Sequence, residues 1–191
     1  EVGVGDRSEL LSFFSADNFI FEFFDWSKTA TSRLKEEIGK RENISVFQKD
    51  LTRDVLERDS YRLIFDSHFL HTLPRITGLR SFVLKNLRQA LGPSGEIYME
   101  HMVLPSSLTV FQVDDLYRYE DGDLWFSHFD RPDLPVRHIP SAVELEDEFL
   151  QAGFQLNFFR IENHLNVIPV AERSKVKEGD PVLARLIARK K

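Results

Sequence analysis

Runs of apolar residues alternate with amphipathic stretches over the first hundred positions of the chain. Apolar runs rich in β-branched and aromatic residues predict strands, whereas apolar residues repeating every three or four positions predict helices. Alternating strands and helices are typical of a parallel sheet covered by helices on both faces. Strands are predicted at residues 19–24, 44–47, 61–65 and 96–102, and helices at residues 8–14, 28–40 and 79–91.

Local signals mark several ends of these elements. Ser27 stands where a helix N-cap is expected, and Gly39 lies near the end of the same helix. The helix at residues 79–91 has an apolar stripe and ends at a turn of glycine, proline and serine at residues 92–95. The stripe comprises Leu79, Phe82, Val83, Leu87 and Leu91.

The second half of the chain has a different pattern. Residues 117–129 are aromatic and β-prone around a polar turn, so we predict a lid or hairpin inserted within residues 111–140. A helix is predicted at residues 141–152, with Gly153 as its stop. Two closing strands are predicted to pair antiparallel at the edge of the sheet, at residues 154–161 and 182–188.

Length and charge restrict the class of protein. The 191 residues suit a single α/β domain spanning residues 1–191. A strand is expected before the first glycines, so we expect the first strand to begin upstream of Glu1.

The net charge of −6 argues against a protein that binds nucleic acid over its whole surface. The chain has no cysteine, which excludes disulfides, thiolate metal sites and cysteine nucleophiles.

The sequence gives no sign of a membrane partner. No apolar run approaches the roughly 20 residues of a membrane span, and no signal peptide is visible. The expected location is intracellular, and the cytoplasm and the mitochondrion are both open.

A glycine-rich turn near the start of the chain precedes a carboxylate at the end of the next strand. Gly3 and Gly5 lie in the turn, and Asp25 follows about twenty residues later. The glycines let the backbone approach a ligand, and the carboxylate can accept hydrogen bonds from both hydroxyls of a ribose. The pattern predicts a Rossmann-like sheet that binds a nucleoside.

Other side chains follow the predicted strands and narrow the choice of cofactor. Trp26 is expected beside an adenine, and Asp50 with Leu51 at its edge, where a carboxylate can accept the exocyclic amine. Asp66 stands at the end of the fourth strand. The third small position that a pyrophosphate needs is occupied by Arg7. The spacing therefore favours S-adenosylmethionine over nicotinamide and flavin cofactors.

Simpler structural roles compete with these assignments. Asp50 is equally placed as the N-cap of a helix at residues 51–54, and Asp66 to cap the strand it follows. His68 and His71 are three positions apart but lack a third ligand, so no metal site is predicted. We expect these two histidines to line the cleft mouth or to face solvent.

Four segments resemble class I S-adenosylmethionine-dependent methyltransferases, at residues 1–5, 23–30, 46–51 and 87–95. More narrowly, the segments at Asp25, at residues 50–52 and at residues 116–122 are similar to the methyltransferase-like group that makes 3-methylcytidine in tRNA. The resemblance implies a Rossmann-like methyltransferase fold with bound S-adenosylmethionine. The implied cofactor contacts are Gly3, Gly5, Asp25, Asp50 and Leu51, with Asp66 and Ser67 beneath the adenine or the sulfonium.

The resemblance also implies a reaction and partners. A nucleophilic nitrogen attacks the sulfonium methyl, and a cytosine must be unpaired or flipped outward to present its N3. RNA or a ribonucleoprotein, together with a protein partner, is expected. Phe69, Trp125 and Phe126 are candidates for stacking on a base, with core packing as the alternative.

Two departures from the family pattern affect the expected activity. Arg7 occupies the third glycine position of the cofactor loop, where its side chain is expected to crowd the methionine pocket and weaken or abolish cofactor binding. After the fifth strand the family has an Arg-Asp-Tyr-Gly-like stretch, whereas residues 100–103 here read Glu-His-Met-Val. His101 is a candidate base in that stretch.

Three functions are therefore weighed. The first is an RNA-associated methyltransferase-like protein, acting on tRNA or rRNA, with weakened or lost catalysis. The alternative is an inactive structural or assembly subunit of a larger complex, such as a mitochondrial ribonucleoprotein. A nicotinamide-dependent oxidoreductase is disfavoured, because the third glycine and a Tyr-x-x-x-Lys pair are missing.

Overall fold

The computed structural model of the chain describes residues 1–5, 19–105, 117–128, 131–162 and 180–191. These ranges contain nine strands and three α-helices. The strands are β1 (Phe21–Asp25), β2 (Ile44–Gln48), β3 (Tyr61–Ser67), β4 (Leu91–Val103), β5 (Tyr117–Glu120), β6 (Asp123–His128), β7 (Arg131–His138), β8 (Phe154–Glu162) and β9 (Val182–Lys190). The helices are α1 (Lys28–Ile38), α2 (Leu79–Ala90) and α3 (Ala142–Gln151), and two 3₁₀ turns cover Leu70–Thr72 and Arg75–Thr77.

The main sheet is mostly parallel. β1 pairs with β2 and β3 pairs with β4, both in parallel. Val2 forms parallel bridges to Phe24 of β1 and to Asp66 of β3, and so joins the two pairs. β9 pairs antiparallel with both β4 and β8. The order across the sheet is therefore β2, β1, Val2, β3, β4, β9, β8, and the predicted antiparallel edge is confirmed.

Helices cover both faces of this sheet. Phe23 of β1 belongs to a buried cluster with Leu34 of α1. The adjacent Phe24 belongs to a larger cluster that contains Leu87 of α2 and Phe149 of α3. Successive strand residues point to opposite faces, so α1 packs on one face and α2 with α3 on the other. The mixed α/β class predicted from the sequence is confirmed.

Two of the three described α-helices begin at serine caps. Ser27 Oγ accepts the N–H of Ala30 at 3.2 Å at the start of α1. Ser141 and Glu144 form a reciprocal capping box at the start of α3. Three predicted helices are thus confirmed with slightly shorter bounds, and the helix predicted at residues 8–14 lies outside the described residues. In the described part of the chain, no helix is both long and apolar enough to cross a bilayer.

β5, β6 and β7 form a separate antiparallel sheet. Asp121 (φ +50°) and Gly122 (φ +82°) connect β5 to β6, as a two-residue hairpin turn with left-handed residues requires. β5 and β6 thus form a hairpin around this polar turn. The pairing of β7 with β6 was not predicted, because Pro132 and Pro135 argue against a strand there. Residues 111–116 and 129–130 of the predicted insertion fall outside the described residues.

The buried side of α2 differs from the predicted apolar stripe. Phe82 is 39% exposed, whereas Arg80 and Asn86 are buried. Asn86 Oδ1 accepts the N–H of Leu56 at 2.9 Å, and its Nδ2 donates to the carbonyl of Asp54 at 2.8 Å. Apolar periodicity cannot identify such positions, since the side chains are polar and are buried only because they find partners.

β4 also begins earlier than predicted. It starts at Leu91 rather than at residue 96. Its register against β3 is irregular between Tyr61 and Leu63. The residues at 92–95, interpreted as a turn from the sequence, lie in this irregular stretch.

Candidate functional site

A cleft of about 460 Å³ opens at the carboxyl ends of β1, β2 and β3. Open α/β sheets bind their ligands at this edge. On the β1 and β2 side the cleft is lined by five of the predicted site residues: Gly3, Asp25, Trp26, Asp50 and Leu51. On the β3 side it is lined by His68, Phe69, Thr72 and Leu73. The structure thus brings most of the predicted residues together, and their role in binding stays a prediction.

Gly3 shapes the floor of the cleft. Its φ is +64°, a conformation that side chains other than hydrogen adopt with strain. A Cβ at this position would also collide with the side chain of Phe69. Gly5 has a similar φ of +66°, but a Cβ there would meet open space. Gly3 is therefore needed for its close approach to Phe69, whereas Gly5 is needed for its backbone conformation alone.

Asp25 ties the glycine turn to the start of α1. Its Oδ2 accepts the N–H of Gly5 at 2.9 Å, and its Oδ1 accepts the N–H of Ser27 at 2.8 Å. The residue is 8% exposed. Each carboxylate oxygen has a further lone pair, so both can accept a hydroxyl proton as well. This geometry fits a pair of neighbouring hydroxyls, such as those of a ribose.

Asp50 follows β2 and lines the cleft at the carboxyl end of that strand. Its Oδ1 accepts the N–H of Thr52 at 3.0 Å and the Thr52 hydroxyl at 2.6 Å. Asp50 therefore caps a turn rather than the helix that the capping alternative expected, and it also lines the cleft. Leu51 is buried and Trp26 is 72% exposed at the rim. Lys49 and Thr52 line the cleft without having been predicted, although their positions beside Asp50 could have indicated them.

Asp66 has a structural role that the sequence suggested only in part. Its Oδ1 accepts the N–H of Phe69 at 2.6 Å, and its Oδ2 accepts the N–H of Leu70 at 3.1 Å. It therefore caps the 3₁₀ turn after β3 rather than the strand itself. Burial raises the pKa of Asp66 to about 7. Among the described cleft-lining residues neither Asp66 nor Gly5 is present, and the side chain of Ser67 lies outside the description.

The histidines occupy different environments. His68 lines the cleft, as expected of the pair. His71 was expected at the cleft mouth or in solvent, and that prediction is wrong, because its ring is buried between those of His68 and His101 at 5.3 and 5.9 Å. Burial lowers the pKa of His71 to about 3. Among the described residues, no three His, Cys, Asp or Glu side chains are grouped to hold a metal ion.

His101 is not available as a base. It is fully buried. Its Nδ1 hydrogen-bonds the carbonyl of Met102 at 2.6 Å, and its Nε2 lies 3.2 Å from Arg80 Nη2. Burial, with Arg80 second, lowers the pKa of His101 well below its usual value. The candidate base of the sequence is therefore a core residue that supports Arg80.

Two further predictions concern Arg7 and Trp125. Arg7 lies outside the described residues, so its crowding of the methionine pocket stays a prediction. Trp125, a candidate for base stacking, carries the Arg118 guanidinium over its ring at 5.0 Å. One face of the indole is thus already covered within the small sheet, which favours packing over stacking.

Comparison with known proteins places this fold. No protein-family profile matches the chain, and no curated protein matches its sequence. Among solved structures, an S-adenosylmethionine-dependent methyltransferase from Methanosarcina mazei is 15% identical, covers 99% of this chain and 90% of that chain, and has a TM-score of 0.70. The DhpI complex with S-adenosylhomocysteine is 14% identical, covers 99% of this chain and 74% of that chain, and has a TM-score of 0.63.

A third neighbour shows how far the likeness extends. The [4+2]-cyclase SpnF is 14% identical, covers 99% of this chain and 73% of that chain, and has a TM-score of 0.70. The chain therefore has the fold of class I S-adenosylmethionine-dependent methyltransferases. A fold does not determine a reaction, so activity has to be inferred from the cleft itself.

Proposed function

We propose that this chain binds S-adenosylmethionine in the cleft at the ends of β1, β2 and β3, as a Rossmann-like methyltransferase domain. The observation that carries the proposal is the position of Asp25. Its carboxylate is fixed by two backbone N–H groups and faces a cleft also lined by Gly3 and Asp50. The sheet order, with Val2 between β1 and β3, supports the Rossmann-like arrangement.

The cleft residues suit the parts of such a cofactor. Asp25 would hold the two ribose hydroxyls, and Asp50 would accept the exocyclic amine of the adenine beside Trp26 and Leu51. Gly3 would leave room for the part of the cofactor that extends from the ribose towards β3. When bound, the cofactor supplies a methyl group activated by a positively charged sulfur. The protein contributes orientation and exclusion of water, which account for much of the rate in such transfers.

RNA is the methyl acceptor that we propose, on the basis of the resemblance at residues 25, 50–52 and 116–122. The net charge of −6 implies that the chain needs a basic partner or a local basic patch to hold RNA. Catalysis is proposed to be weakened by Arg7. If Arg7 abolishes cofactor binding, the chain instead serves as a structural subunit of a ribonucleoprotein.

Calorimetric titration with S-adenosylhomocysteine tests the proposal. The chain should bind one equivalent, and Asp25→Ala should weaken binding by roughly 10- to 150-fold, because hydrogen bonds to a charged group contribute about 1.5–3 kcal/mol. Asp25→Asn, which keeps one acceptor oxygen, guards against misfolding of the alanine variant. Asp147→Ala on the exposed side of α3 is the matched control and should bind normally.

The outcomes separate the functions. A flat trace at high ligand concentration would favour the structural subunit. Binding of NADH in place of S-adenosylhomocysteine would favour the oxidoreductase. Normal binding by a folded Asp25→Ala variant would show that the nucleoside site is elsewhere.

A further inference from the structure

The order of strands gives the cleft two distinct ends. Asp25 and Asp50 mark the end at β1 and β2, where the proposed function places ribose and adenine. Val2 and Gly3 lie between β1 and β3. A cofactor with its adenosine at β1 and β2 would have its sulfur towards the end of β3. His68 is the first residue after β3, and it lines the cleft there.

His68 is held in an unusual backbone conformation. Its φ is +72°, which is strained for a residue other than glycine. Strain of this kind persists where the surrounding structure fixes it, and it is common at functional sites. The N–H of His68 donates to the carbonyl of Glu100 at 3.3 Å, which anchors the residue to the end of β4.

The two ring nitrogens of His68 differ. Nδ1 is buried and has no hydrogen-bond partner within the described part of the chain. The side chain as a whole is 38% exposed, and Nε2 lies 3.6 Å from Glu100 Oε2. That distance is too long for a hydrogen bond but short enough for charge stabilisation. Nε2 is thus the nitrogen that a molecule in the cleft can reach.

The surroundings of His68 lower its pKa, so the ring is neutral at neutral pH, and Glu100 can stabilise the ring once it is protonated. Burial lowers the pKa of His68, Arg137 of β7 acts in the same direction, and Glu100 of β4 opposes both. The His71 ring packs against it from the 3₁₀ turn. Glu100 is itself fixed, because its Oε1 accepts Arg185 Nε of β9 at 2.8 Å. An imidazole in these surroundings is a base at neutral pH with a carboxylate ready to stabilise its imidazolium.

We propose that His68 is the catalytic base of the methyl transfer and that Glu100 is its positioning residue, so the acceptor is an O–H or N–H group of the RNA that must lose a proton, and not the N3 of cytosine, which carries none. This rests on the proposed function of the cleft. The acceptor lone pair forms the new bond to the methyl carbon, and the C–S bond breaks with its electron pair left on sulfur. The acceptor proton passes to the lone pair of His68 Nε2, in the tautomer that carries its hydrogen on Nδ1, and then to solvent.

Sinefungin provides a probe that does not require the acceptor to be known. It carries a primary amine where S-adenosylmethionine carries the transferred methyl, so its ammonium should donate to His68 Nε2. We expect the preference for sinefungin over S-adenosylhomocysteine to fall about tenfold in His68→Ala. The quantity compared is the ratio of the two affinities in each protein, and retained binding of S-adenosylhomocysteine shows that the variant is folded. His68→Asn, which tolerates the left-handed backbone, repeats the test if alanine fails to fold.

The pH dependence of that preference tests the proton chemistry. In the natural chain the preference for sinefungin should fall as the pH is lowered, with a midpoint below pH 6.5, because a protonated His68 repels the ammonium. The step should vanish in His68→Ala. Glu100→Gln should move the midpoint to lower pH, since the imidazolium loses its stabilising charge. Glu96→Gln on the same strand, whose carboxylate binds Asn157 at 3.0 Å, should leave the midpoint in place.

Two results would overturn the inference. If S-adenosylhomocysteine binds but the sinefungin preference and its pH step persist in His68→Ala, His68 is not the base and the proposed function stands. If neither compound binds the natural chain, the proposed function and this inference both fail.

Discussion

Gly3 shows how one residue shapes the cleft. A methyl group there would combine a left-handed backbone with a collision against Phe69, whereas at Gly5 it would meet the backbone cost alone. We expect Gly3→Ala to lower the free energy of unfolding by roughly 2–4 kcal/mol and Gly5→Ala by roughly 1–2 kcal/mol. Urea denaturation of both variants measures the difference. Equal losses would contradict the close approach of Gly3 to Phe69.

Asp66 should make stability depend on pH. Its pKa of about 7 in the folded chain exceeds the unfolded value of about 3.9. The folded state therefore binds more protons across that interval, and stability falls as pH rises through it. Asp66→Asn removes the titration and keeps one acceptor oxygen. Its stability relative to the natural chain should rise by roughly 2–4 kcal/mol between about pH 4 and pH 8.

Urea unfolding across this pH range measures the effect of Asp66→Asn. Parallel stability curves for the two proteins would show that Asp66 titrates normally in the folded chain.

Local sequence indicated the glycine turn, Asp25 and Asp50, because each follows from its distance to a strand end. It did not indicate the burial of His71 and His101. His71 is buried because the 3₁₀ turn that contains it packs on His101 of β4, and His101 is buried against Arg80 of α2, so both depend on contacts between separate elements. The partners of Asp66 are only three and four positions further along the chain, but they depend on a 3₁₀ turn that was not predicted.

At the scale of elements, Arg80 connects α2 to α3 and to the 3₁₀ turn that borders the cleft. Its Nε and Nη2 donate to Glu148 at 2.9 and 2.6 Å, and its Nη1 donates to the carbonyl of Leu70 at 2.6 Å. The Arg80 side chain is 2% exposed. A buried charge network of this kind fixes the wall of the cleft that contains Phe69, Thr72 and Leu73.

Arg80→Met should destabilise the chain by roughly 3–5 kcal/mol, because it leaves Glu148 and a buried carbonyl without their partner. The matched control is Arg75→Met. Arg75 also reaches α3, but its pair with Glu144 is exposed and 3.8 Å long, so its loss should cost less than about 1 kcal/mol. Thermal unfolding of both variants provides the comparison. Similar midpoints would contradict the importance assigned to Arg80.

Elements with strong local signals were predicted well. α1 and α3 have serine caps, and the hairpin of β5 and β6 has a polar glycine turn. β7 was missed because its prolines argue against a strand. Its pairing is determined by β6, a neighbour in space that a local pattern does not contain.

At the scale of the whole molecule, the sheet order depends on pairings between distant segments. The sequence predicted parallel strands followed by an antiparallel edge, but the insertion of β9 between β4 and β8 comes from long-range pairing. This order gathers Gly3, Asp25, Asp50 and His68 at a single edge. The proposed chemistry depends on that convergence more than on any one of these residues.

The structure of the chain with S-adenosylhomocysteine bound would test the central claim most directly. We predict that the ribose hydroxyls contact the Asp25 carboxylate, that the adenine lies between Trp26 and Leu51 near Asp50, and that the sulfur points towards His68. A ligand bound away from Asp25, or a cleft that stays empty at saturating ligand, would contradict the account.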